Sequence, residues 1–166
     1  MSGKTGVKVM GGFLSAFERR DLGAAMDMLT EDVVYIVIGD PGGETPIDRE
    51  TCEAIPWIGR YDGRKAVRRF VSILQANIDI ISIAVSKVIE NGEDIAVFGT
   101  FSYIAKSTGK RFDSDYAIRA RIRGHGIAEY TFYENTYAVA AAFRTEGSWT
   151  VEHDVGASSV PSGDTL

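Results

Sequence analysis

The sequence predicts an α+β fold in which a curved antiparallel sheet wraps over three N-terminal helices. Apolar residues recur at helical spacing in the first half of the chain, whereas from residue 78 onward the apolar period is two. Helices therefore come first, with one strand among them, and four strands follow, an order that differs from βαβ alternation. One face of such a sheet must be covered, and the three helices can cover it. We therefore expect a cone whose wide end can open into a cavity.

The helices are predicted from their apolar faces and from one capping signal. Asp21 has the position of an N-cap, where its carboxylate would accept free backbone N–H groups of a short second helix. The third helix is expected to span about 63–76. The three apolar faces are Met10, Phe13, Leu14 and Phe17; Leu22, Ala25, Met26 and Leu29; and Val67, Phe70, Val71 and Leu74.

A strand and a long loop separate the second and third helices. The β-branched run VVYIVI, residues 33–38, predicts the strand. Residues 39–59 contain three of the four prolines and are polar at their centre, which predicts a loop. Loops of this length in a compact domain are usually functional covers or flexible segments.

From residue 78 the sequence predicts a meander of four long antiparallel strands. NGED, KSTGK and RGHG are the turns between them, and the last strand is IAEYTFYENTY. A short apolar piece, AVAAAF, follows, and SWTVE (148–152) is a candidate edge strand. We expect a single domain over residues 1–155 and a disordered Ser/Gly-rich tail over 156–166.

Composition excludes several classes of function. A net charge of −5 argues against a nucleic-acid surface, and Cys52 as the single cysteine excludes an intrachain disulfide. His125 and His153 belong to no metal-binding pattern, so no metal is predicted. No apolar run approaches the roughly 20 residues that cross a bilayer. Since the N-terminal residues lack the apolar core of a secretory signal, we expect a cytoplasmic protein.

Four stretches of the chain resemble a known group of proteins. They are FERRDLGAAMDMLTEDVVY (17–35), IGRYDGRKAVRRF (58–70), TGKRFDSDYAIRARI (108–122) and IAEYTFYENTYAVAAAF (127–143). They resemble the nuclear transport factor 2-like superfamily, in particular its SnoaL-like and ketosteroid isomerase-related branch. This resemblance implies a cone-shaped α+β barrel, and it makes a homodimer the expected assembly. The superfamily includes isomerases, polyketide cyclases, dehydratases, epoxide hydrolases and non-catalytic modules, so fold alone does not decide the function.

The resemblance does not carry over the isomerase residues. By alignment, the two groups that hold the substrate oxygen fall at Phe13 and Ile118, and the aspartate that moves the proton falls at Val37. None of these side chains can donate a strong hydrogen bond or accept a proton. Steroid isomerase chemistry at those positions is therefore not expected, and the Asp-Arg-Asp set of the epoxide hydrolases has no clean match either.

EYTFYENTY (129–137) places an acid beside an amide, and neighbours on a strand point to opposite faces. If RGHG is a simple turn, Asn135 faces the core, and Asp115 lies beside Glu134 on the outer face, where like charges cost stability. A one-residue β-bulge near the turn would instead turn Tyr130, Phe132 and Glu134 inward. We prefer the bulged register because it buries more apolar area and separates the acids.

Two functional hypotheses remain open. In the first, Glu134 is a general acid or base whose pKa is raised by desolvation, and Asn135 or a tyrosine hydroxyl orients the oxygen of a small apolar substrate. Proton transfer beside a carbonyl implies no redox or metal cofactor. The expected substrate-binding residues are Tyr35, Trp57, Tyr61, Tyr116, Tyr130 and Phe132, with loop 39–59 as a lid.

In the second hypothesis, the protein is a non-catalytic ligand-binding or assembly module, and Glu134 is a carboxylate at the rim of the cone that is hydrogen-bonded to a tyrosine or an arginine. Charged residues recur at odd-numbered positions along strand residues 113–123, which predicts an outer sheet face that meets solvent or a partner. We expect a homodimer through that outer face, and neither a nucleic acid nor a membrane as a partner.

Overall fold

The computed structural model describes residues 3–40, 49–55 and 57–147. The helices are α1 (Gly3–Glu18), α2 (Leu22–Asp27), α3 (Arg49–Ala54), α4 (Gly63–Asn77) and α5 (Thr136–Phe143). The strands are β1 (Leu29–Val37), β2 (Gly59–Asp62), β3 (Ile78–Asn91), β4 (Asp94–Ala105), β5 (Arg111–Arg123) and β6 (Gly126–Glu134). Within these ranges no helix is long and apolar enough to cross a membrane.

The strands form one six-stranded sheet in the order β2-β1-β6-β5-β4-β3. The predicted meander is confirmed, because β3 to β6 pair consecutively and antiparallel. The sheet as a whole is mixed and not purely antiparallel, since β1 pairs with β6 in parallel. β6, the parallel neighbour of β1, follows it in the chain by more than 80 residues, and strand periodicity does not encode such a long-range pairing.

The helices cover the inner face of the sheet as predicted. All four residues of the predicted apolar face of α4 are buried, and Met10 and Phe13 of α1 are buried as well. Leu14 and Phe17 of α1 are half-buried and pack against the same core. Asp21 caps α2, with its Oδ1 accepting a hydrogen bond from Ala24 N at 3.0 Å. The α+β fold is thus confirmed.

Sequence reasoning missed three short elements. Helix α3 lies inside the predicted loop 39–59, and β2, the next element in the chain, lies at the edge of the sheet. The short apolar piece after β6 is helix α5. Residues 41–48 of the predicted lid, the candidate edge strand 148–152 and the tail 156–166 lie outside the described residues.

The preferred bulge between β5 and β6 is confirmed. Ile122 pairs with Ile127, but Arg121 pairs with Glu129, so Ala128 is the extra residue on β6. Beyond the bulge the parity of β6 is reversed, and Tyr116 lies opposite Glu134. The inner-face residues of β5 therefore lie opposite Tyr130, Phe132 and Glu134, which also face inward.

The outer face of β5 carries the charged residues, as predicted, and several of them form ion pairs with residues of other strands. Arg121 lies 3.0 Å from Asp94 on β4 and 3.5 Å from Glu129 on β6. Arg123 pairs with Asp32 of β1. Each of these side chains is about half exposed, so the pairs are screened by water and contribute little to stability.

Candidate active site

A cavity of about 50 Å³ lies between α1, α4 and the inner face of the sheet. Aliphatic and aromatic side chains form nearly all of its wall. Of the described residues that line it, Glu134 alone carries a carboxyl group. A single ionisable acid in an otherwise apolar chamber has a defined chemical consequence, because burial disfavours its charged form.

Glu134 is held in the cavity by the end of β6. No described residue donates a hydrogen bond to its Oε1, which is sealed from solvent. Burial raises the pKa of Glu134 to about 8, while a hydrogen bond from the Trp57 side chain lowers it in part. The carboxyl group is therefore mostly protonated at neutral pH and available as a hydrogen-bond donor or a general acid.

Tyr116 provides a second unused polar group on the cavity wall. Its hydroxyl is buried and has no hydrogen-bond partner among the described residues. Tyr116 lies opposite Glu134 on the neighbouring strand. Since burial raises the pKa of Tyr116, the hydroxyl keeps its proton and can donate it to a ligand oxygen.

Gly99 makes room for Tyr116. A Cβ added at residue 99 would lie 2.6 Å from Cζ and OH of Tyr116 and 2.0 Å from the backbone oxygen of Ala84. Gly99 is also the Cα partner of Tyr116 across β4 and β5. A glycine inside an apolar strand marks such a close approach, and this signal was present in the sequence.

Two further tyrosines form a stacked pair at the base of the cavity. The rings of Tyr35 and Tyr130 are parallel within 7°, with centroids 4.2 Å apart. Burial raises the pKa of both hydroxyls, and the two side chains share a hydrogen bond. Because these hydroxyls satisfy each other, they form a rigid wall and are less available to a ligand than that of Tyr116.

Most of the predicted site residues meet at this cavity. Its lining includes Glu134 and five of the six expected binding residues, namely Tyr35, Trp57, Tyr116, Tyr130 and Phe132. Tyr61 is buried outside the lining, and its hydroxyl donates a hydrogen bond to Trp57 O at 2.8 Å. The Tyr61 side chain therefore supports Trp57 and does not line the cavity.

Asn135 lies outside the described lining of the cavity. Its side chain is exposed and caps α5, with Oδ1 accepting from Ala138 N at 3.2 Å. Its backbone N–H donates to Ser114 Oγ at 2.9 Å. The reason is that the strand ends at Glu134, and the next residue already begins a helix.

Sequence reasoning also missed part of the wall. Tyr103 and Phe112 line the cavity from β4 and β5, and Phe13, Phe17 and Leu74 line it from the helices. Their inward positions follow the same strand parity and helical spacing that predicted the core. Phe13 thus places an apolar ring where the resemblance implies a polar group in the isomerases.

Within the described ranges, no group of three or more His, Cys, Asp or Glu side chains could hold a metal ion. Among the described residues, the cavity offers a ligand the Glu134 carboxyl, the unpaired Tyr116 hydroxyl and apolar surface. This set can bind an oxygen atom of an apolar molecule and transfer a proton to or from it.

Comparison with known proteins agrees with this architecture. Residues 11–130 match the SnoaL-like domain. An NTF2-like protein of Burkholderia xenovorans LB400 superposes with a TM-score of 0.71 at 22% identity, covering 87% of this chain and 99% of the other. A search of curated proteins found no match.

Two other solved structures have the same fold and carry names of enzymes. A Rhodopseudomonas palustris protein provisionally named an isomerase has a TM-score of 0.67 at 14% identity, covering 82% of this chain and 97% of the other. An LEH-like epoxide hydrolase of Mycobacterium tuberculosis has a TM-score of 0.64 at 13% identity, covering 86% of this chain and 91% of the other. At these identities the similarity shows an NTF2-like fold.

Proposed function

This chain belongs to the SnoaL-like domain family, and on that premise we propose that it binds a small, mostly apolar, oxygenated molecule and moves a proton on it. The reaction would be an isomerisation, an aldol-type cyclisation or a dehydration. The observation that carries this proposal is the Glu134 carboxyl, which lines an apolar cavity with its Oε1 buried and without a hydrogen-bond partner among the described residues. An acid whose pKa lies near the working pH is suited to give and take a proton.

Glu134 and Tyr116 would have different roles in this chemistry. The protonated carboxyl of Glu134 donates its proton to a carbonyl or hydroxyl oxygen of the substrate. The resulting carboxylate then removes a proton from the neighbouring carbon, which leaves an enol or, with loss of water, an alkene, and restores the acid. The Tyr116 hydroxyl donates a hydrogen bond to the oxygen on which negative charge develops. Trp57 stabilises the transient carboxylate, because its side chain already hydrogen-bonds to Glu134.

The names of the structural relatives include isomerases and an epoxide hydrolase, and the cavity of this chain fits isomerisation better than epoxide hydrolysis. Isomerisation needs a proton donor and acceptor, both of which Glu134 can supply in turn. Epoxide hydrolysis by an Asp-Arg-Asp set has no counterpart here, because the described lining of the cavity contains neither Asp nor Arg. We therefore place isomerase or lyase chemistry ahead of hydrolysis.

The experiment is a screen of ketones, lactones and sterols by thermal shift, followed by turnover assays on each molecule that stabilises the protein. Glu134→Gln should reduce kcat by about 10²–10⁴-fold while leaving ligand affinity within about threefold, since general acid–base catalysis has that magnitude. Glu18→Gln, an exposed substitution on α1, is the matched control. Unchanged turnover in Glu134→Gln would refute the role of this acid.

A second candidate function is that of a dimeric binding module, for which the outer sheet face gives a specific observation. Phe98, Ala117 and Tyr133 are adjacent on β4, β5 and β6, and Phe98 and Tyr133 are each 40% exposed. On β5, Asp115 and Arg119 lie two residues to either side of Ala117 on the same face. A two-fold axis across the strands at Ala117 would place Asp115 of one protomer near Arg119 of the other.

We propose that this outer face forms the homodimer, whether or not the cavity is catalytic. Phe98→Lys should convert the protein to a monomer in sedimentation velocity at micromolar concentration. Val7→Lys, which changes an exposed apolar residue of α1, should not. A monomeric wild type, or a dimer that survives Phe98→Lys, would exclude this interface.

A further inference from the structure

A second cavity adjoins the one that holds Glu134. It measures about 300 Å³ and lies between α1, α2, α4 and the start of β3. Phe17 and Leu74 line both cavities and form the partition between them. Its floor is apolar and includes Leu22, Val71 and Ile80, whereas Arg20 and Lys106 line its rim.

The charges at this rim do not balance. Arg20 and Lys106 share one acid, with Arg20 Nη2 3.8 Å and Lys106 Nζ 3.5 Å from Asp79 Oδ1. Lys106 Nζ also donates a hydrogen bond to the backbone oxygen of Gln75 at 2.6 Å. These three side chains are 40–57% exposed, so the two cations remain accessible to a ligand. The rim carries one excess positive charge in a chain whose net charge is −5.

Arg20 occupies a backbone position that favours glycine. It lies just beyond α1 with φ +61°, and its N–H donates to Phe17 O at 3.0 Å. The next N–H, of Asp21, donates to Ala16 O at 2.9 Å, which completes a Schellman motif. Glycine would take this conformation without a steric cost. An arginine here is consistent with a role for its side chain at the rim.

The volumes of the two cavities indicate that a single ligand could occupy both of them. A volume of about 50 Å³ around Glu134 holds only a few water-sized groups, because each one needs at least about 10–15 Å³ of such volume. Small-molecule sites in proteins usually measure roughly 300–1,000 Å³. A larger ligand whose reacting end reaches Glu134 can extend past Phe17 and Leu74, which line both cavities, into the larger one.

We propose that the ligand is an amphipathic carboxylate that spans both cavities. Its apolar, reacting end lies beside Glu134, its middle crosses between Phe17 and Leu74, and its carboxylate binds Arg20 and Lys106. A guanidinium beside an ammonium suits a carboxylate, because charge-assisted hydrogen bonds to both oxygens can form. This inference rests on the proposed function for the identity of the reacting end, but the recognition of the carboxylate can be tested separately.

Calorimetric binding of octanoate and 1-octanol tests the charge recognition. At low ionic strength the wild type should bind octanoate about tenfold more tightly than 1-octanol. The double variant Arg20→Asn/Lys106→Gln should lose this preference, and asparagine is chosen because it tolerates positive φ. Arg19→Gln/Lys65→Gln removes two exposed positive charges outside the cavity and should retain it. Equal affinities in the wild type, or a preference that persists in the rim variant, would overturn the proposal.

Brominated probes test whether one ligand spans both cavities. In a Trp149→Phe background, tryptophan emission comes from Trp57 alone, which lines the cavity that holds Glu134. 8-Bromooctanoate should quench this emission strongly, because its bromine enters beside Trp57, whereas 2-bromooctanoate should not. Equal quenching by the two isomers would overturn the spanning arrangement.

The same measurements on Glu134→Gln separate this proposal from the proposed function. If the catalytic proposal fails but the spanning ligand is correct, octanoate preference and selective quenching persist without any Glu134-dependent turnover. If the spanning ligand is wrong, the preference is absent even where Glu134-dependent turnover is found.

Discussion

Replacing Glu134 by Gln should change how the free energy of unfolding depends on pH. Burial raises the pKa of this carboxyl from 4.5 to about 8 in the folded protein. Below pH 4.5 the group is protonated in both states and adds no pH dependence. Between pH 4.5 and 8 only the folded state holds the proton, so stability falls as pH rises, and above pH 8 the loss is complete.

The size of this effect follows from the two pKa values. Each pH unit across the window corresponds to about 1.36 kcal/mol, so the wild type should lose about 5 kcal/mol between pH 4.5 and 8 from this group. Relaxation of the cavity or entry of water would reduce the loss to about 3 kcal/mol. Glutamine keeps the shape of the side chain and cannot ionise, so the variant should lack this term.

Urea denaturation of wild type, Glu134→Gln and the control Glu18→Gln at half-unit intervals from pH 5 to 9 measures the effect. The difference in unfolding free energy between Glu134→Gln and wild type should grow by about 3 kcal/mol or more toward pH 9, in favour of the variant. Glu18→Gln should run parallel to the wild type. Parallel curves for Glu134→Gln and wild type would mean that folding does not raise the pKa of this carboxyl.

Three other substitutions test the surroundings of the acid. Gly99→Ala should destabilise the protein by about 3 kcal/mol in chemical denaturation, because its Cβ would meet Ala84 O and Tyr116. The control Gly11→Ala, on α1 with open space around it, should stabilise the protein by up to about 1 kcal/mol. Asn135→Ala should cost about 1 kcal/mol through loss of the α5 cap, with ligand affinity unchanged in calorimetry; a loss of affinity would return this residue to the site. Tyr116→Phe should leave thermal stability unchanged or raised, because it removes an unpaired buried hydroxyl, and should lower kcat; equal turnover would exclude it as a donor.

Local patterns predicted the elements whose periodicity is long and unambiguous. The apolar faces of α1 and α4 and the four strands of the meander follow directly from spacings of about 3.6 and 2. The bulge at Ala128 was predictable for a different reason, since that register turns Tyr130 and Phe132 inward and separates Glu134 from Asp115. Energetic conflict between alternatives therefore predicted a feature that periodicity alone could not.

The remaining features depend on contacts between distant segments or on very short elements. Nothing local in β1 indicates that it pairs in parallel with β6. Helix α3 and strand β2 are six and four residues long, too short for a period to be recognised. The cap by Asn135 was missed because the apolar piece after it was not recognised as a helix, and the residue was therefore assigned to the strand.

The most direct test of the account is the titration of the Glu134 carboxyl itself. In protein labelled with ¹³C at glutamate Cδ, the resonance that disappears in Glu134→Gln can be followed from pH 4 to 10. The account predicts a midpoint near 8, with the carboxyl still protonated at pH 7. A midpoint between about 4 and 5 would mean that Glu134 is solvated, and the proposed general acid in an apolar cavity would then be wrong.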